Sequence, residues 1–195
     1  LDALLGTPTA PVQSLHRTKS GVSFIYFDIN GCLVRFFQRA FTRLAEATGV
    51  PADLIETAYW HYNDEVCRGT MTMADFNTAL AERTGLTSLD WQRYYFEAIE
   101  PIQPMQDLLK WASERYRVGL MSNTMPGFIG TMRQQGILPD IAYAAVIDSS
   151  EVGTIKPEPQ IYEIAAEKAG AQPSEILLID DSRGNLITAE KMGCH

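Results

Sequence analysis

Four groups of polar residues each follow a short apolar run. Asp28 and Asn30 come after "FIYF" at 24–27, and Ser122, Asn123 and Thr124 after "RVGLM" at 117–121. Asp148 and then Lys156 come after "AYAAVI" at 142–147, and Asp180, Asp181 and Ser182 after "EILLI" at 175–179. Two adjacent carboxylates and a third from a distant part of the chain repel one another when gathered, and a divalent cation relieves that repulsion. A donor set made only of oxygen suits Mg²⁺ better than Zn²⁺. A hydroxyl, amide N–H groups and an ammonium close by supply what a phosphate binds. Singly, each residue has a plainer use. Asp28 can cap a turn, Ser122 or Thr124 can N-cap a following helix, Asp180-Asp181-Ser182 can cap "NLITAEKMG", and Lys156 can be a solvated side chain. Their joint order is what points to one site.

The elements that must position these residues are legible from the apolar pattern. "VSFIYF", "RVGLM", "AYAAVI" and "EILLI" are continuous rather than alternating, as in strands covered on both faces of a parallel sheet. Asn30-Gly31 is also a strong hairpin signal, which would make Asp28 an incidental turn residue. A hairpin strand with one wet face alternates apolar with polar, whereas "FIYF" does not, so a central strand ending in a tight loop is expected. Ligands of open parallel sheets bind beyond the carboxyl ends of the strands, which is where all four polar groups fall.

Between the first two strands the chain reads as helical. "FFQRAFTRLAEATG" stops on Gly49, "PADLIETAYWHYNDEVCRG" opens on Pro51, "TMADFNTALAERTG" carries a Thr72–Asp75 capping pattern and stops on Gly85, and "SLDWQRYYFEAIE" makes a fourth helix. After Pro104 helices and strands alternate. The expected fold is therefore α/β, a doubly wound parallel sheet with an inserted small all-helical unit. Its parts are an arm or linker at 1–20, an α/β core at 21–36 and 103–195, and a helical cap at 37–102.

A chain of 195 residues with a net charge of −8 and a pI near 4.9 disfavours nucleic acid or an acidic membrane as partner. Cys32, Cys67 and Cys194 lie far apart with no metal-ligand spacing, and three is an odd number for a disulfide framework, so a reducing cytoplasm is expected. No apolar run approaches the roughly 18 residues that span a bilayer, and the N-terminus lacks the basic-then-apolar order of a signal peptide.

"FDINGCLV", "LMSNT", "GTIKPEPQIY" and "LLIDDSRGNLITAEKMG", in this order, resemble the four motifs of the haloacid dehalogenase-like hydrolase superfamily over residues 22 to 193. The resemblance implies a Rossmann-like core with a cap between the first two motifs. It also implies Asp28 as a nucleophile that forms an aspartyl-phosphate, with Asp28, the Asn30 carbonyl and Asp181 holding Mg²⁺ and Asp180 beside them as a direct or outer ligand. Ser122, the N–H of Asn123 and Lys156 are then the phosphoryl-binding groups, Lys156 also neutralising charge during transfer. The substrate implied is a small phosphorylated metabolite such as a sugar phosphate.

Two departures follow from the same resemblance. Phosphatases of the superfamily usually carry a second aspartate at the position of Asn30, and an amide cannot exchange a proton at neutral pH. A good leaving group, a residue of the cap acting as acid, or weak catalysis are the consequences open. A 2-haloacid dehalogenase needs neither that aspartate nor a metal, and a binding or regulatory protein needs no turnover; both remain rivals. His61, Asp64 and Glu65 in the second helix either approach the site or face water, Tyr59, Trp60 and Tyr62 read as packing, and Cys32 reads as core. The family normally continues with a further strand and helix beyond "EKMGCH", so something is expected to cover that sheet edge.

Overall fold

The computed structural model describes residues 21–195. The expected arm at 1–20 lies outside the described residues. Four parallel strands form the sheet: β1 (Phe24–Phe27), β4 (Arg117–Ser122), β5 (Ala145–Asp148) and β6 (Ile176–Ile179), in the order β5-β4-β1-β6. β1 is flanked on both sides, with Phe27 in register with Leu120 of β4 and Ile179 of β6. The N–H of Asp28 extends that ladder to the carbonyl of Ile179 at 2.9 Å.

The unbroken apolar run of β1 has a direct cause. Successive side chains point to opposite faces, and both faces are covered. Phe24 and Tyr26 pack into one core cluster with Ile161, Tyr162 and Ala165 of α8 (Pro159–Ala169) and Ala189 of α9 (Arg183–Lys191). Ile25 and Phe27 belong to the other, with Leu109 of α5 (Gln103–Ser113) and Phe128 and Met132 of α6 (Phe128–Gln134).

The hairpin reading of Asn30-Gly31 fails because the chain folds back only locally, the N–H groups of Cys32, Leu33 and Val34 all reaching the carbonyl of Ile29. From this loop a two-stranded antiparallel ribbon, β2 (Val34–Arg35) and β3 (Glu100–Pro101), leads into and out of four helices. These are α1 (Phe37–Thr48), α2 (Ala52–Cys67), α3 (Met73–Thr84) and α4 (Trp91–Ala98). The stop signals act as expected: Gly49 and Gly85 take φ of +76° and +74°, a region open to glycine without steric cost, and the Thr72 hydroxyl accepts from the N–H of Asp75. Trp91 is fully buried against Phe41 and Tyr59, and this apolar centre is continuous with the α5–α6 side of the core. No helix of the described residues is long and apolar enough to cross a membrane.

The ribbon has no counterpart in the sequence pattern, since two residues per strand leave no period to read. Nor does the one-turn helix α7 (Ser149–Val152), which Asp148 caps by accepting from the N–H and hydroxyl of Ser150. At the outer edge of β6, the backbone of His195 donates to Ile176 and accepts from Leu178.

Candidate active site

Asp28 leaves the end of β1 and is only 5% exposed. Burial pushes its carboxyl above the ordinary carboxylate range, the Lys156 ammonium pulls it back, and Asp180 pushes it up again. Lys156 Nζ lies 2.9 Å from Asp28 Oδ1 and 2.5 Å from Asp180 Oδ2, and donates to the carbonyl of Met121 at 2.8 Å. Burial alone would lower its pKa. The two carboxylates outweigh that and hold the ammonium above its usual value, so it stays charged.

Lys156 is placed by Asn123. The Asn123 amide accepts from the Lys156 N–H at 2.7 Å and donates to the Lys156 carbonyl at 2.8 Å, a two-way clasp that ties the end of β4 to the loop before α8. The Lys156–Pro157 peptide is cis.

Asp180 and Asp181 are neighbours with different surroundings. Asp180 accepts from Lys156, from the Ser182 N–H at 2.8 Å, and from the Asn185 amide at 3.0 and 3.1 Å on its two oxygens. Asp181 is more open, and burial followed by the Asp180 charge raises its pKa. Carboxylate oxygens of Asp28, Asp180 and Asp181 all lie within 4.8 Å of one another. Gly31 makes room for this. Its φ is +89°, and a Cβ there would strike the Asp181 carboxylate.

Three carboxylates around one ammonium leave an excess of negative charge in a partly buried oxygen-lined space, which fits a hard divalent cation. Ser122 is fully buried beside Asp28, where its hydroxyl favours the ionised Asp28 carboxylate, while the buried Oγ1 of Thr124 has no hydrogen-bond partner among the described residues. Neither caps the following helix, which starts at Phe128 behind Gly127, so the plainer reading of both is removed. A buried hydroxyl left unpaired costs stability unless a ligand takes it up.

Asp28, Asn30, Ser122, Asn123, Lys156, Asp180 and Asp181 thus share one edge of the sheet. Asp148 does not join them, being occupied at the N-terminus of α7. His61, Asp64 and Glu65 are exposed on α2, Tyr59 is buried there, and Cys32 is core, its thiol pushed up to about 12 by burial. Two participants escaped sequence reasoning. Asn185 sits five residues past Asp180, a spacing within the first turn of α9 that a search for partners of the carboxylate would have reached. Tyr95 of α4 donates from its hydroxyl to Asn30 Oδ1 at 2.7 Å across 65 residues of chain, and nothing local announces it.

A family model described as haloacid dehalogenase-like hydrolase matches residues 23–193. A HAD family enzyme from Bacteroides thetaiotaomicron, solved in complex with magnesium and inorganic phosphate, has a similar fold, with a TM-score of 0.72 and 23% identity over 89% of this chain and 92% of that one. The L-2-haloacid dehalogenase of Xanthobacter autotrophicus, solved with chloropropionic acid covalently bound, gives 0.67 and 18% over 89% and 75%. Bifunctional epoxide hydrolase 2 of Rattus norvegicus is 46% identical over 48 residues, which are 25% of this chain and 9% of that protein, so the chain spans only a small part of that relative.

Proposed function

The chain belongs to the haloacid dehalogenase-like hydrolase family, and from that premise we propose that it is a Mg²⁺-dependent phosphomonoester hydrolase. It works through an aspartyl-phosphate on Asp28, on a small phosphorylated metabolite such as a sugar phosphate. One observation carries the reading: the Asp28, Asp180 and Asp181 oxygens lie within 4.8 Å of one another beside a single buried ammonium. A site this acidic repels an organic acid offered without a cation, yet suits a phosphate paired with one.

Asp28, Asp181 and the Asn30 carbonyl would hold Mg²⁺, with Asp180 in the supporting place because its oxygens already serve Lys156, Ser182 and Asn185. The ion, when bound, offsets charge on the phosphoryl oxygens. Asp28 attacks phosphorus, forming a carboxylate–phosphorus bond as the bond to the leaving oxygen breaks with its electron pair. Ser122, the Asn123 N–H and Lys156 hold the phosphoryl oxygens meanwhile. Water then attacks the phosphorus, the bond to the Asp28 oxygen breaks to return its carboxylate, and the water proton leaves on the phosphate. Asn30 can donate a hydrogen bond to the departing oxygen but no proton, which favours anomeric or acyl phosphates over simple alkyl esters. The chain's net negative charge speaks against a nucleic acid or an acidic membrane surface as partner, and its three scattered cysteines suit the cytoplasm.

The dehalogenase reading has one observation in its favour, the neutral Asn30 held by Tyr95. Sugar phosphates, nucleotides, acyl phosphates and 2-haloacids, each assayed with Mg²⁺ and with EDTA, separate the two. Phosphate release that needs Mg²⁺ and vanishes in Asp28→Asn supports the phosphatase. Halide release that survives EDTA replaces it with the dehalogenase, and silence throughout leaves a binding protein.

A further inference from the structure

A cavity of about 480 Å³ opens beside Gly31, walled by Arg35, Phe36, Gln38, Arg39 and Glu100. A shallower hollow of about 320 Å³ continues along α1, sharing Gln38 and Arg39 and reaching Arg43. Gly31 joins this space to the acidic cluster, because it lines the cavity and a Cβ on it would strike the Asp181 carboxylate.

The sign of the charge here is reversed. The chain carries −8 overall, yet Arg35 and Arg39 line one cavity and Arg43 follows Arg39 by one helical turn. Among the described residues neither Arg35 nor Arg43 forms an ion pair, while Arg39 pairs with Glu100. Glu100 is also the backbone partner of Arg35 across the β2–β3 ribbon, so the carboxylate that Arg39 pairs with belongs to the residue in register with Arg35. That arrangement shows which chemistry the wall accepts, since guanidinium binds carboxylate and phosphoryl oxygens through paired hydrogen bonds. Both members of the Arg39–Glu100 pair are about half exposed, at 52% and 48%, and such pairs contribute little to stability. An incoming anion can therefore take Arg39 from Glu100 at small cost.

We propose that this cavity is a distal subsite for a second anionic group, held by Arg35 and Arg39 at the far end of a substrate whose phosphoryl group meets Asp28. The inference rests on the phosphomonoesterase reading and narrows it to small metabolites that carry a carboxylate or a second phosphate away from the reacting one. Phe36 supplies an apolar floor for the carbon chain between the two ends, and Gln38 a hydrogen-bonding side chain for its hydroxyls.

Non-hydrolysable probes test this by calorimetric titration in Mg²⁺, independently of turnover. Alkylphosphonates of increasing length are compared with ω-phosphonocarboxylates and α,ω-bisphosphonates of the same lengths. Wild-type protein is expected to bind one length of the doubly anionic series about tenfold or more tighter than its plain counterpart. Arg35→Gln and Arg39→Gln should bring that ratio towards one, and Glu100→Gln should raise it. Comparing the carboxylate and bisphosphonate arms identifies the tail. Equal affinity for plain and doubly anionic probes at every length overturns the subsite and leaves the phosphatase reading standing. Absence of binding by any phosphonate overturns both.

Discussion

The Tyr95 hydroxyl donates to Asn30 Oδ1 at 2.7 Å, joining the last helix of the insertion to the loop that follows β1. Tyr95 is buried against Phe36 and Phe128, and burial drives its pKa far above the ordinary value, so at any working pH it remains a donor. With its oxygen engaged, the Asn30 amide has its N–H₂ group left to offer. The residue standing where a proton donor is usual is thus held in one orientation by a helix from elsewhere in the chain.

Tyr95→Phe should lower stability by about 1 kcal/mol, the net worth of one such bond, as read by urea denaturation. Asn30→Asp should raise turnover of alkyl phosphates roughly 10²-fold by supplying the missing acid. The gain should appear as a new limb in the pH–rate profile and leave acyl phosphates, which need no acid, nearly unchanged.

Lys156→Met removes the ammonium that Asp28 and Asp180 share, and leaving two buried carboxylates uncompensated should cost about 3–5 kcal/mol at neutral pH. Lys156 has its pKa raised on folding above the usual 10.5, so its stabilisation is complete below that value and fades only as pH climbs through the raised one. Denaturation of wild type from pH 6 to 9 should therefore show no loss attributable to it. In Lys156→Met the deficit should shrink towards acid pH, where the orphaned carboxylates can protonate.

Asp28 and Asp181 both have pKa values raised above 3.8 on folding. A carboxyl that binds its proton more tightly when folded makes the metal-free protein lose stability as pH rises from 3.8 through the raised values. Mg²⁺, bound as proposed, would compete with those protons. Its stabilisation, about 2.7 kcal/mol at a hundred times Kd, should be larger at pH 8 than at pH 5, as measured by thermal melting with and without EDTA.

Gly31→Ala forces a Cβ into the Asp181 carboxylate at a φ of +89°. The backbone alone should cost about 1–2 kcal/mol, and the displaced carboxylate should weaken Mg²⁺ binding about 10-fold or more. Gly49→Ala is the control. Its φ is +76° with nothing within 4 Å of the new Cβ, so it should lose stability and keep its Mg²⁺ affinity, a contrast that titration calorimetry reads directly.

The four strands, the helical insertion, the helix stops at Gly49 and Gly85, and the gathering of Asp28, Ser122, Lys156, Asp180 and Asp181 at one edge are legible in the order of the residues. Those follow from short-range rules: burial on both faces makes a strand uniformly apolar, a parallel sheet brings its carboxyl ends together, and glycine alone takes a left-handed turn without penalty. Tertiary packing alone sets that Asp180 supports Lys156 while Asp181 stays open, that Tyr95 holds Asn30, and that Glu100 pairs with Arg39. Each of these depends on how the insertion and the loops seat against the sheet. Contacts spanning 24 to 65 residues leave no periodic mark on the chain, because packing rather than spacing sets which side chains meet.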